Sequence, residues 1–475
     1  MRIRSLLITA FLFSASALAW QGEVPPPLPS QRLDPNIQKV ISEISEENIA
    51  AILKKLEGFG TRNTLSDTND PARGIGAARQ WIFDQFRSYS PRLEVSFDTH
   101  MIPKGGRIWK DVELRNVMAV QKGKQDPERW ILVTGHYDSL NLRIPPEMRG
   151  DLEKMANIDA PGVTDDGSGT ACVMECARVM SRYEFGATLV FVALAGEEQG
   201  LIGARELAKL LHARNQVVEA VLNVDTIGSD VSGNGISENR RMVVYSEDPN
   251  DSPSRQVARF IRLVGGRYYP EMQVELVFRH DRFGRGGDHT AFNQEGYPGV
   301  RFTTPTENFE NQHSPTDTFA NTSPSYTARG VRLVASVAAA MAQAPRVPVT
   351  MRPAGSAAPA RTPAQSAPSG AAAETMPQGY TRPAQTGPGL SRGSGYDAVL
   401  RWDYPNPGPD LAGFIVVIRS TIAPDWEREI WAGNVREFTI KNLQIDHVVL
   451  GVKSLDKEGH ESPAAAYTTQ PRRVE

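Results

Sequence analysis

Several acidic and histidine residues stand immediately after apolar runs of this 475-residue chain. In "VALAGEEQGL", residues 192–201, the hydrophobic run ends at two adjacent carboxylates, Glu197 and Glu198. The other residues in comparable positions are His136, Asp138, Asp165, Asp166, Asp225 and His313. At the carboxyl ends of neighbouring parallel strands such groups converge on one rim, where like charges repel unless a cation lies between them. The pattern therefore predicts a divalent-metal site.

The types of ligand limit which metal ion can bind and which reaction it can support. Imidazoles combined with carboxylates suit zinc or a similar transition ion, and two such ions can share one bridging carboxylate. Ions in this arrangement activate water and polarise a carbonyl group, but the reaction still needs a general base to accept the proton. At the end of a strand, the side chains of both Glu197 and Glu198 can point toward the same site. One of them can therefore bind metal while the other acts as the base.

The segments that hold these residues alternate between strand and helix patterns. The runs "RWILVTGHYDS", "ATLVFVALAGEE" and "VEAVLNVDTIG" are typical of buried strands, whereas "GTACVMECARVMSRY", "GARELAKLLHARN" and "SPSRQVARFIRLVGG" have helical periodicity. We therefore predict an α/β domain over residues 36–345, with a mostly parallel central sheet flanked by helices. Cys172 and Cys176 lie four residues apart in a predicted helix, and we expect two small buried side chains rather than a disulfide.

The N-terminal segment has the composition of a secretory signal peptide. Two arginines precede a short apolar run over residues 6–15, and residues 17–19, Ala-Leu-Ala, fit the small-residue cleavage pattern. We expect residues 1–19 to be removed on export to the periplasm or the medium, and the Pro-rich residues 20–35 to be extended. A membrane anchor is the alternative, but the apolar run is shorter than the roughly 20 residues that a membrane span requires.

Two composition changes divide the C-terminal part of the chain. Residues 346–394 are rich in Ala, Pro, Ser and Gly without periodic hydrophobic residues, which predicts a flexible linker. Residues 395–475 contain short β-like runs between turn signals and predict a small antiparallel β-sandwich. This region resembles a fibronectin type III module in Trp402, "FTIKNL" and "GVKSLDKEGHES". We expect it to bind a protein or carbohydrate partner, with bracing of the main domain as the alternative.

The overall charge excludes one class of partner. A net charge of -3 and a pI near 6.3 provide no basic field, so we do not expect nucleic acid to bind. Beyond the N-terminal segment, no run is long and apolar enough to predict a membrane span.

Six stretches within residues 116–320 resemble peptidase family M28, a family of zinc aminopeptidases with two co-catalytic zinc ions. They are "GHYDS", "DDGSG", "AGEEQGLIGA", "NVDTIG", "GDHTAFNQEGYPGVRF" and "HSPTDT". The resemblance implies hydrolysis of the N-terminal residue from peptides that have a free N-terminus. It also implies the metal ligands, which are His136 and Asp225 on one zinc ion, Glu198 and His313 on the other, and Asp165 as the bridge.

The same resemblance implies roles for two further carboxylates. Glu197 is the implied general base, which later donates the proton to the leaving amine. Asp138 is implied to orient His136 and to fix the tautomer of its imidazole. One position departs from the family pattern, because Gln312 stands where many members carry a tyrosine that binds the oxyanion. The amide of Gln312 can donate a hydrogen bond in that place.

Other residues near these motifs have less specific expectations. The long segment over residues 140–164 is expected to form a wall or lid over the substrate. In "GGDHTAF" we expect a structural or pocket role for His289 rather than ligation, and support of the site through hydrogen bonds for Asp288. For Arg282 and Arg285 we favour a solvated loop over a position in the pocket.

Three kinds of alternative to an aminopeptidase remain open: another enzyme of this fold, a non-catalytic binding protein, and an adhesive protein. A carboxypeptidase of the same family would use the same metals, and a glutaminyl cyclase resembles the fold but uses a single zinc ion. A non-catalytic peptide-binding protein is disfavoured by the intact set of predicted ligands. The last alternative is an adhesive protein in which the peptidase domain is idle.

Overall fold

The computed structural model describes residues 28–29, 32–350, 388–393 and 396–468. The predicted signal peptide lies outside these residues, as do most of the predicted Pro-rich segment and most of the predicted linker. Within the described ranges, no helix has the length and apolar character that crossing a membrane would require.

Nine α-helices occur in the described residues, and all of them precede residue 344. They are α1 (Pro35–Ser42), α2 (Glu46–Glu57), α3 (Gly74–Tyr89), α4 (Leu152–Asn157), α5 (Ser168–Met180), α6 (Ile202–Ala213), α7 (Pro253–Tyr268), α8 (Asp288–Gln294) and α9 (Pro324–Gln343). Local sequence explains where several begin. Ser45, Ser252 and Ser323 each accept a backbone N–H of the first turn, and a proline opens α7 and α9.

The strands fall into a large N-terminal set and a smaller C-terminal set. The first set is β1 (Leu93–Ile102), β2 (Val112–Gln121), β3 (Asp126–His136), β4 (Ala187–Leu194), β5 (Val217–Val224), β6 (Arg241–Ser246), β7 (Gln273–Val277) and β8 (Gly299–Thr303). The second set is β9 (Gly389–Arg392), β10 (Ala398–Arg401), β11 (Leu411–Ser420), β12 (Arg428–Gly433), β13 (Glu437–Ile440), β14 (Val448–Asp456) and β15 (Ala465–Ala466).

The first set forms one eight-stranded mixed sheet in the order β1-β2-β4-β3-β5-β8-β6-β7. Its centre, β4-β3-β5-β8, is parallel, whereas the β1–β2 hairpin is antiparallel and β6 runs antiparallel to β8. Every residue of β4 is buried, as expected for a central strand covered on both faces. The predicted α/β class, with helices flanking a large sheet, is confirmed.

Helices cover both faces of this sheet. One apolar cluster joins the sheet to α1, α2, α3, α5, α7 and α9, and a second, smaller cluster joins the other face to α6 and α8. Cys172 and Cys176 on α5 are fully buried free thiols in the larger cluster, which confirms their predicted role. The carboxyl ends of β3, β4, β5 and β8 therefore share one rim between the two helical layers.

The C-terminal strands form two antiparallel sheets, β13-β10-β9 and β12-β11-β14-β15. Residues of both sheets pack into one core around Trp402 and Phe414, whose ring centroids lie 5.3 Å apart. The predicted antiparallel region is therefore present, with one strand, β9, that the sequence pattern did not indicate. The fibronectin type III resemblance itself stays a prediction.

The C-terminal sandwich packs directly on the larger α/β domain along α7. Arg259 on α7 donates to Pro424 O at 2.6 Å, and Arg262 donates to Asp425 Oδ1 at 3.0 Å. Residues 346–350, at the start of the predicted linker, also join the two parts, because Val349 forms a β-bridge with Asp403. The sandwich is thus held against the main domain by specific contacts.

Candidate metal centre

A cavity of about 880 Å³ opens at the carboxyl ends of the central strands. His136 is the last residue of β3, Asp225 follows β5 directly, and Glu197 and Glu198 follow β4 after a short turn. His313 comes from the long loop between β8 and α9. The shared rim of a parallel sheet thus brings together side chains that are far apart in sequence.

The turn after β4 depends on Gly196. Its φ of +74° lies in the left-handed region, and a Cβ there would stand 2.7 Å from Leu114 Cδ1. The turn directs both glutamates toward the cavity, where they are part of the lining. Glu198 is buried at 5 % exposure while Glu197 is partly exposed, so the two neighbours occupy different environments.

Asp165 lies between the two predicted imidazole ligands. Its Oδ1 is 3.2 Å from His136 Nε2, and its Oδ2 is 3.0 Å from His313 Nε2. Glu198 Oε1 is in turn 3.1 Å from His313 Nε2. One carboxylate therefore presents an oxygen to each of two separate histidines, which is the arrangement expected of a bridging ligand.

Two groups of donor atoms are compact enough to hold an ion. Asp165, Glu198 and His313 form one, and His136, Asp166 and Asp225 form the other, with their donor atoms all within 4.8 Å of one another in each group. The four predicted terminal ligands are thus divided as the family resemblance implied, with His136 and Asp225 in one group and Glu198 and His313 in the other. Asp165 joins the two through His136.

Asp166 is better explained as a structural residue than as a ligand. Its carboxylate accepts backbone N–H groups of His136 at 3.1 Å, Gly169 at 2.8 Å and Thr226 at 3.0 Å. These hydrogen bonds occupy its oxygens and tie the ends of β3 and β5 to the start of α5. Asp166 therefore holds the rim together.

Asp138 positions both sides of the centre at once. The Nδ1 atom of His136 lies 3.1 Å from the carbonyl oxygen of Asp138, which fixes that ring nitrogen as the donor and leaves Nε2 free for metal. The Asp138 carboxylate accepts the backbone N–H groups of Glu197 and Glu198, each at 3.2 Å, and the Thr64 hydroxyl at 3.1 Å. Asp138 thus connects the orientation of His136, through its backbone carbonyl, to the placement of the glutamate pair, through its carboxylate.

Three further buried residues support the ligands, and sequence reasoning missed all of them in this role. Arg301 Nε is 3.2 Å from Asp225 Oδ2, and Asp317 accepts the backbone N–H of Asp165 at 3.0 Å. Arg62 is completely buried and donates to backbone carbonyls, including Tyr137 O at 2.7 Å. Asp317 lies in the recognised "HSPTDT" stretch and Arg301 in "GDHTAFNQEGYPGVRF", where neither was given a role, and Arg62 belongs to no motif.

The crowded charges perturb several pKa values at the site. Burial raises the pKa of Glu197 well above its usual value, and the nearby Glu198 and Asp288 add to the effect while His136 opposes it. Burial alone would lower the pKa of His313, but the negative carboxylates of Asp165 and Glu198 beside its Nε2 raise it to about 11. Protons on these groups compensate part of the negative charge in the metal-free protein.

The residues present fit zinc. They offer imidazole nitrogens and carboxylate oxygens, the donors that zinc binds in catalytic sites. His136 Nε2 and Glu198 Oε1 are buried, and neither makes a hydrogen bond with the described part of the chain. A buried donor atom that lacks a hydrogen bond is costly unless an ion satisfies it.

The structure places Gln312, suited by its position to contact the oxyanion, and His289, expected to have a structural or pocket role, in different environments. Gln312 lines the cavity, but its Nε2 donates to Asp165 Oδ2 at 2.6 Å, so the amide is committed to the Asp165 carboxylate. His289 is fully buried with Nε2 2.6 Å from His280 O, and burial lowers its pKa to about 4. It lies in the core as a neutral side chain, in agreement with a structural role.

Asp288 differs from the expectation that it supports the site through hydrogen bonds. Both of its carboxylate oxygens are buried and find no hydrogen-bond partner in the residues described. Burial raises its pKa to about 8, with His136 opposing and the nearby Asp138 and Asp225 reinforcing the shift. Its influence on the site is electrostatic.

The cavity walls come from three loops. The segment over residues 140–164 lines one side and is attached to the centre, because Leu142 N donates to His313 O at 2.9 Å. Arg107, from the β1–β2 loop, reaches over to Glu198 O at 2.9 Å. Arg282 and Arg285, expected in a solvated loop, instead line the cavity. The β7–α8 loop folds back over the rim, which its sequence did not indicate.

Comparisons with known proteins identify the family and similar folds. The family model described as peptidase family M28 matches residues 116–338. A protein of Pyrenophora tritici-repentis named "Probable zinc metalloprotease" is 32 % identical over 91 % of this chain and 97 % of its own length. A protein of the same name from Pyricularia oryzae is 34 % identical over 93 % of this chain and 86 % of its own. The crystal structure of LapB from Legionella pneumophila, at 19 % identity and a TM-score of 0.50, has a similar fold over 65 % of this chain and 75 % of that one.

Proposed function

The chain belongs to peptidase family M28 and is a zinc metallopeptidase, and from that premise we propose that it is an exported di-zinc aminopeptidase. The observation that carries the two-ion proposal is the placement of Asp165. Its two oxygens face different histidines, at 3.2 Å from His136 Nε2 and 3.0 Å from His313 Nε2. A single-ion site would not need a carboxylate shared between two such groups.

The chain's own residues then divide the work of hydrolysis. Zinc, when bound by the five ligands, supplies Lewis-acid activation of water and of the scissile carbonyl. Glu197 accepts the proton from the attacking water and returns it to the leaving amine as the carbon–nitrogen bond breaks. Its partly exposed position in the cavity lining suits a group that must reach substrate, whereas the buried Glu198 suits a ligand.

A peptide series tests which chain end is cleaved. The purified mature protein is incubated with short peptides in free, N-acetylated, C-amidated and N-terminal glutamine forms, and mass spectrometry follows the products. We expect stepwise loss of single residues from free N-termini, including the C-amidated peptides, with no reaction of the acetylated set. Chelation should abolish the reaction and zinc should restore it.

Each other outcome points to a named alternative. Loss of residues from free C-termini would indicate a carboxypeptidase, and loss of ammonia from N-terminal glutamine would indicate a cyclase. Absence of any reaction with two zinc ions bound would overturn the aminopeptidase proposal. Measurement of bound zinc per chain tests the ion count separately, and N-terminal sequencing of the exported protein tests cleavage after residue 19.

A further inference from the structure

Three arginines line the cavity and a fourth lines an adjoining depression, and all of them except Arg285 donate a side-chain hydrogen bond within the protein. Arg107 donates to Glu198 O at 2.9 Å, and Arg143 donates to Glu310 O. Arg282 pairs with Asp281 Oδ1 at 3.0 Å and with Glu307 Oε2 at 3.1 Å. These three cations act mainly to fix loop positions.

Arg285 is different from the other three. Its side chain makes no hydrogen bond within the described residues, and its nearest carboxylate oxygen, Glu307 Oε2, is 3.9 Å away. That carboxylate is already shared with Arg282 at 3.1 Å. The side chain of Arg285 is 36 % exposed, so its donors are available to a ligand. A guanidinium presents five donors, and a carboxylate is the group that matches them bidentately.

The position of Arg285 places these donors beside the metal centre. The residue lines the main cavity together with Asp165 and Glu198, and it also lines an adjoining depression of about 340 Å³ next to His313 and Phe309. Its guanidinium carbon lies 5.8 Å from the centroid of the Phe309 ring, a contact that favours one orientation of the head group.

The surroundings of Arg285 leave this approach open. Gly284 and Gly286 flank it and contribute no side chain, and a Cβ built on Gly284 would meet nothing within 4 Å. Elsewhere the cavity wall includes the apolar side chains of Leu65, Trp109 and Met155. A substrate in this cavity therefore meets apolar surface, the metal centre and one guanidinium that is not hydrogen-bonded.

We propose that Arg285 is a specificity-determining residue that binds a carboxylate of the substrate, so that the enzyme selects acidic peptides. This inference rests on the proposed function, since it concerns which peptides that site accepts. The carboxylate can belong to the side chain of the N-terminal residue, to the side chain of the next residue, or to the C-terminus of a dipeptide. All three present the same chemistry to the guanidinium.

Matched peptide pairs distinguish these sources. The pairs are Glu-Leu-amide against Gln-Leu-amide, Leu-Asp-amide against Leu-Asn-amide, and Leu-Leu against Leu-Leu-amide. In each pair only one carboxylate is replaced by an amide. We expect kcat/KM to favour the acidic member of at least one pair by about five- to tenfold, as a partly exposed charge-assisted contact would give.

Variants assign that preference to Arg285. Arg285→Met should reduce the acid-to-amide ratio to about 1, and Arg285→Lys should retain part of it because the charge remains. Arg87→Met is a matched control, since Arg87 is also exposed and its guanidinium carbon lies 5.9 Å from the Phe83 ring centroid, but on α3 away from the cavity. This control should keep the wild-type ratio.

Binding measurements separate this proposal from the aminopeptidase proposal. Calorimetry with the zinc-loaded Glu197→Gln variant compares the Kd values of the same pairs without turnover, and adding Arg285→Met to that variant should equalise them. Equal Kd and kcat/KM values within every pair, or a preference that survives Arg285→Met, would overturn the role of Arg285 even if peptides are cleaved. Preferential binding without cleavage would support Arg285 and count against the aminopeptidase.

Discussion

Two regions of this protein bury several charged side chains, and they compensate the charge in opposite ways. At the cavity floor, Asp165, Glu198, Asp225 and Asp288 are at most 5 % exposed. Among the described residues, Arg301 is the one lysine or arginine in ion-pair contact with any of them, through Asp225. The negative charge of this region exceeds what the chain itself neutralises.

The interface between α7 and the C-terminal sandwich has the reverse character. Arg419 of the sandwich is 1 % exposed and pairs with Asp251 before α7, while Arg267 of α7 pairs with Glu461 of the sandwich. Glu461 also pairs with the buried Lys453. In this region carboxylates and cations that are buried or partly buried pair with one another directly.

This difference in charge compensation distinguishes the cavity floor, which is suited to binding a ligand, from the interface, which holds two parts of the chain together. Burying a charge costs several kcal/mol unless a partner compensates it. The interface supplies its partners from the chain, so it forms without any ligand. The cavity floor needs partners from outside, and zinc ions provide positive charge at the donor atoms that lack hydrogen bonds. Changes in the first region should therefore affect metal and catalysis, and changes in the second should affect stability.

The largest expected effect is loss of catalysis in Glu197→Gln. The amide has the size of the carboxylate but cannot accept the proton from water, so kcat should fall by about 10²- to 10⁴-fold. Zinc content, measured by plasma mass spectrometry, should stay at the wild-type value because Glu198, rather than Glu197, is the proposed ligand. A kcat within tenfold of wild type, at full zinc content, would show that another group is the base.

Arg419→Met should break the interface without affecting catalysis. It leaves Asp251 without its cross-domain partner and removes donors to Ser420 O at 2.9 Å and Ala423 O at 3.0 Å. We expect the free energy of unfolding to fall by about 3 kcal/mol, with kcat within about twofold of wild type. Urea unfolding checks the first value. The matched control is Arg428→Met, an exposed arginine of the same sandwich, and an equal loss of stability there would contradict the assignment.

Asp138→Asn should weaken metal binding more than it weakens the fold. An amide in that position can no longer accept both backbone N–H groups of Glu197 and Glu198, which the carboxylate holds at 3.2 Å. Outer ligands of this kind typically change metal affinity by about 10- to 100-fold. Competition with a zinc-selective chelator measures that change. An unchanged zinc affinity would mean that the turn after β4 positions the glutamates by itself.

The same two regions show which parts of the structure could be predicted from the sequence. Helical and strand periodicity predicted β3, β4, β5, α5, α6 and α7. The polar residues that follow strands predicted a metal site, and the family resemblance implied its ligands. These signals are local, since apolar periodicity and a strand end are visible within about ten residues. The contact between the sandwich and the main domain depends instead on arginines of α7. A helix face that is exposed to solvent could carry the same arginines, so their presence does not predict the contact. Nothing adjacent to them in sequence identifies Pro424 or Glu461 as their partners.

Contacts between residues that are far apart in the chain also explain why the sequence did not predict the positions of Arg62 and Arg285. Arg62 donates to carbonyls of Tyr137, Pro161 and Gly162, which lie 75 to 100 residues away in the chain. Its position follows from the packing of α2 against the turn before α5, which no periodicity encodes. Likewise, Arg285 reaches the cavity because its loop folds back over the rim. A glycine-rich loop has no apolar pattern that would indicate this path.

The smallest expected effect is a pH dependence at the interface, from His460. Its Nδ1 is 2.7 Å from Asp456 Oδ2 and its Nε2 is 3.2 Å from Asp34 Oδ2. Burial alone would lower its pKa, but the hydrogen bonds to Asp34 and Asp456 raise it to about 10, above the ordinary 6.5. A histidine with a raised pKa contributes stability that is complete below the ordinary value and is lost as the pH rises through the raised one.

His460→Gln keeps a neutral hydrogen-bonding side chain and removes the charge, so it isolates this contribution. We expect wild type to be more stable than the variant by about 1 kcal/mol below pH 6.5, after discounting for solvent screening. The difference should shrink toward zero as the pH approaches 10, and urea unfolding at a series of pH values measures it. A difference that stays constant from pH 5 to 10 would mean that His460 acts by packing alone. The interface would then resemble an ordinary core rather than a set of compensated charges.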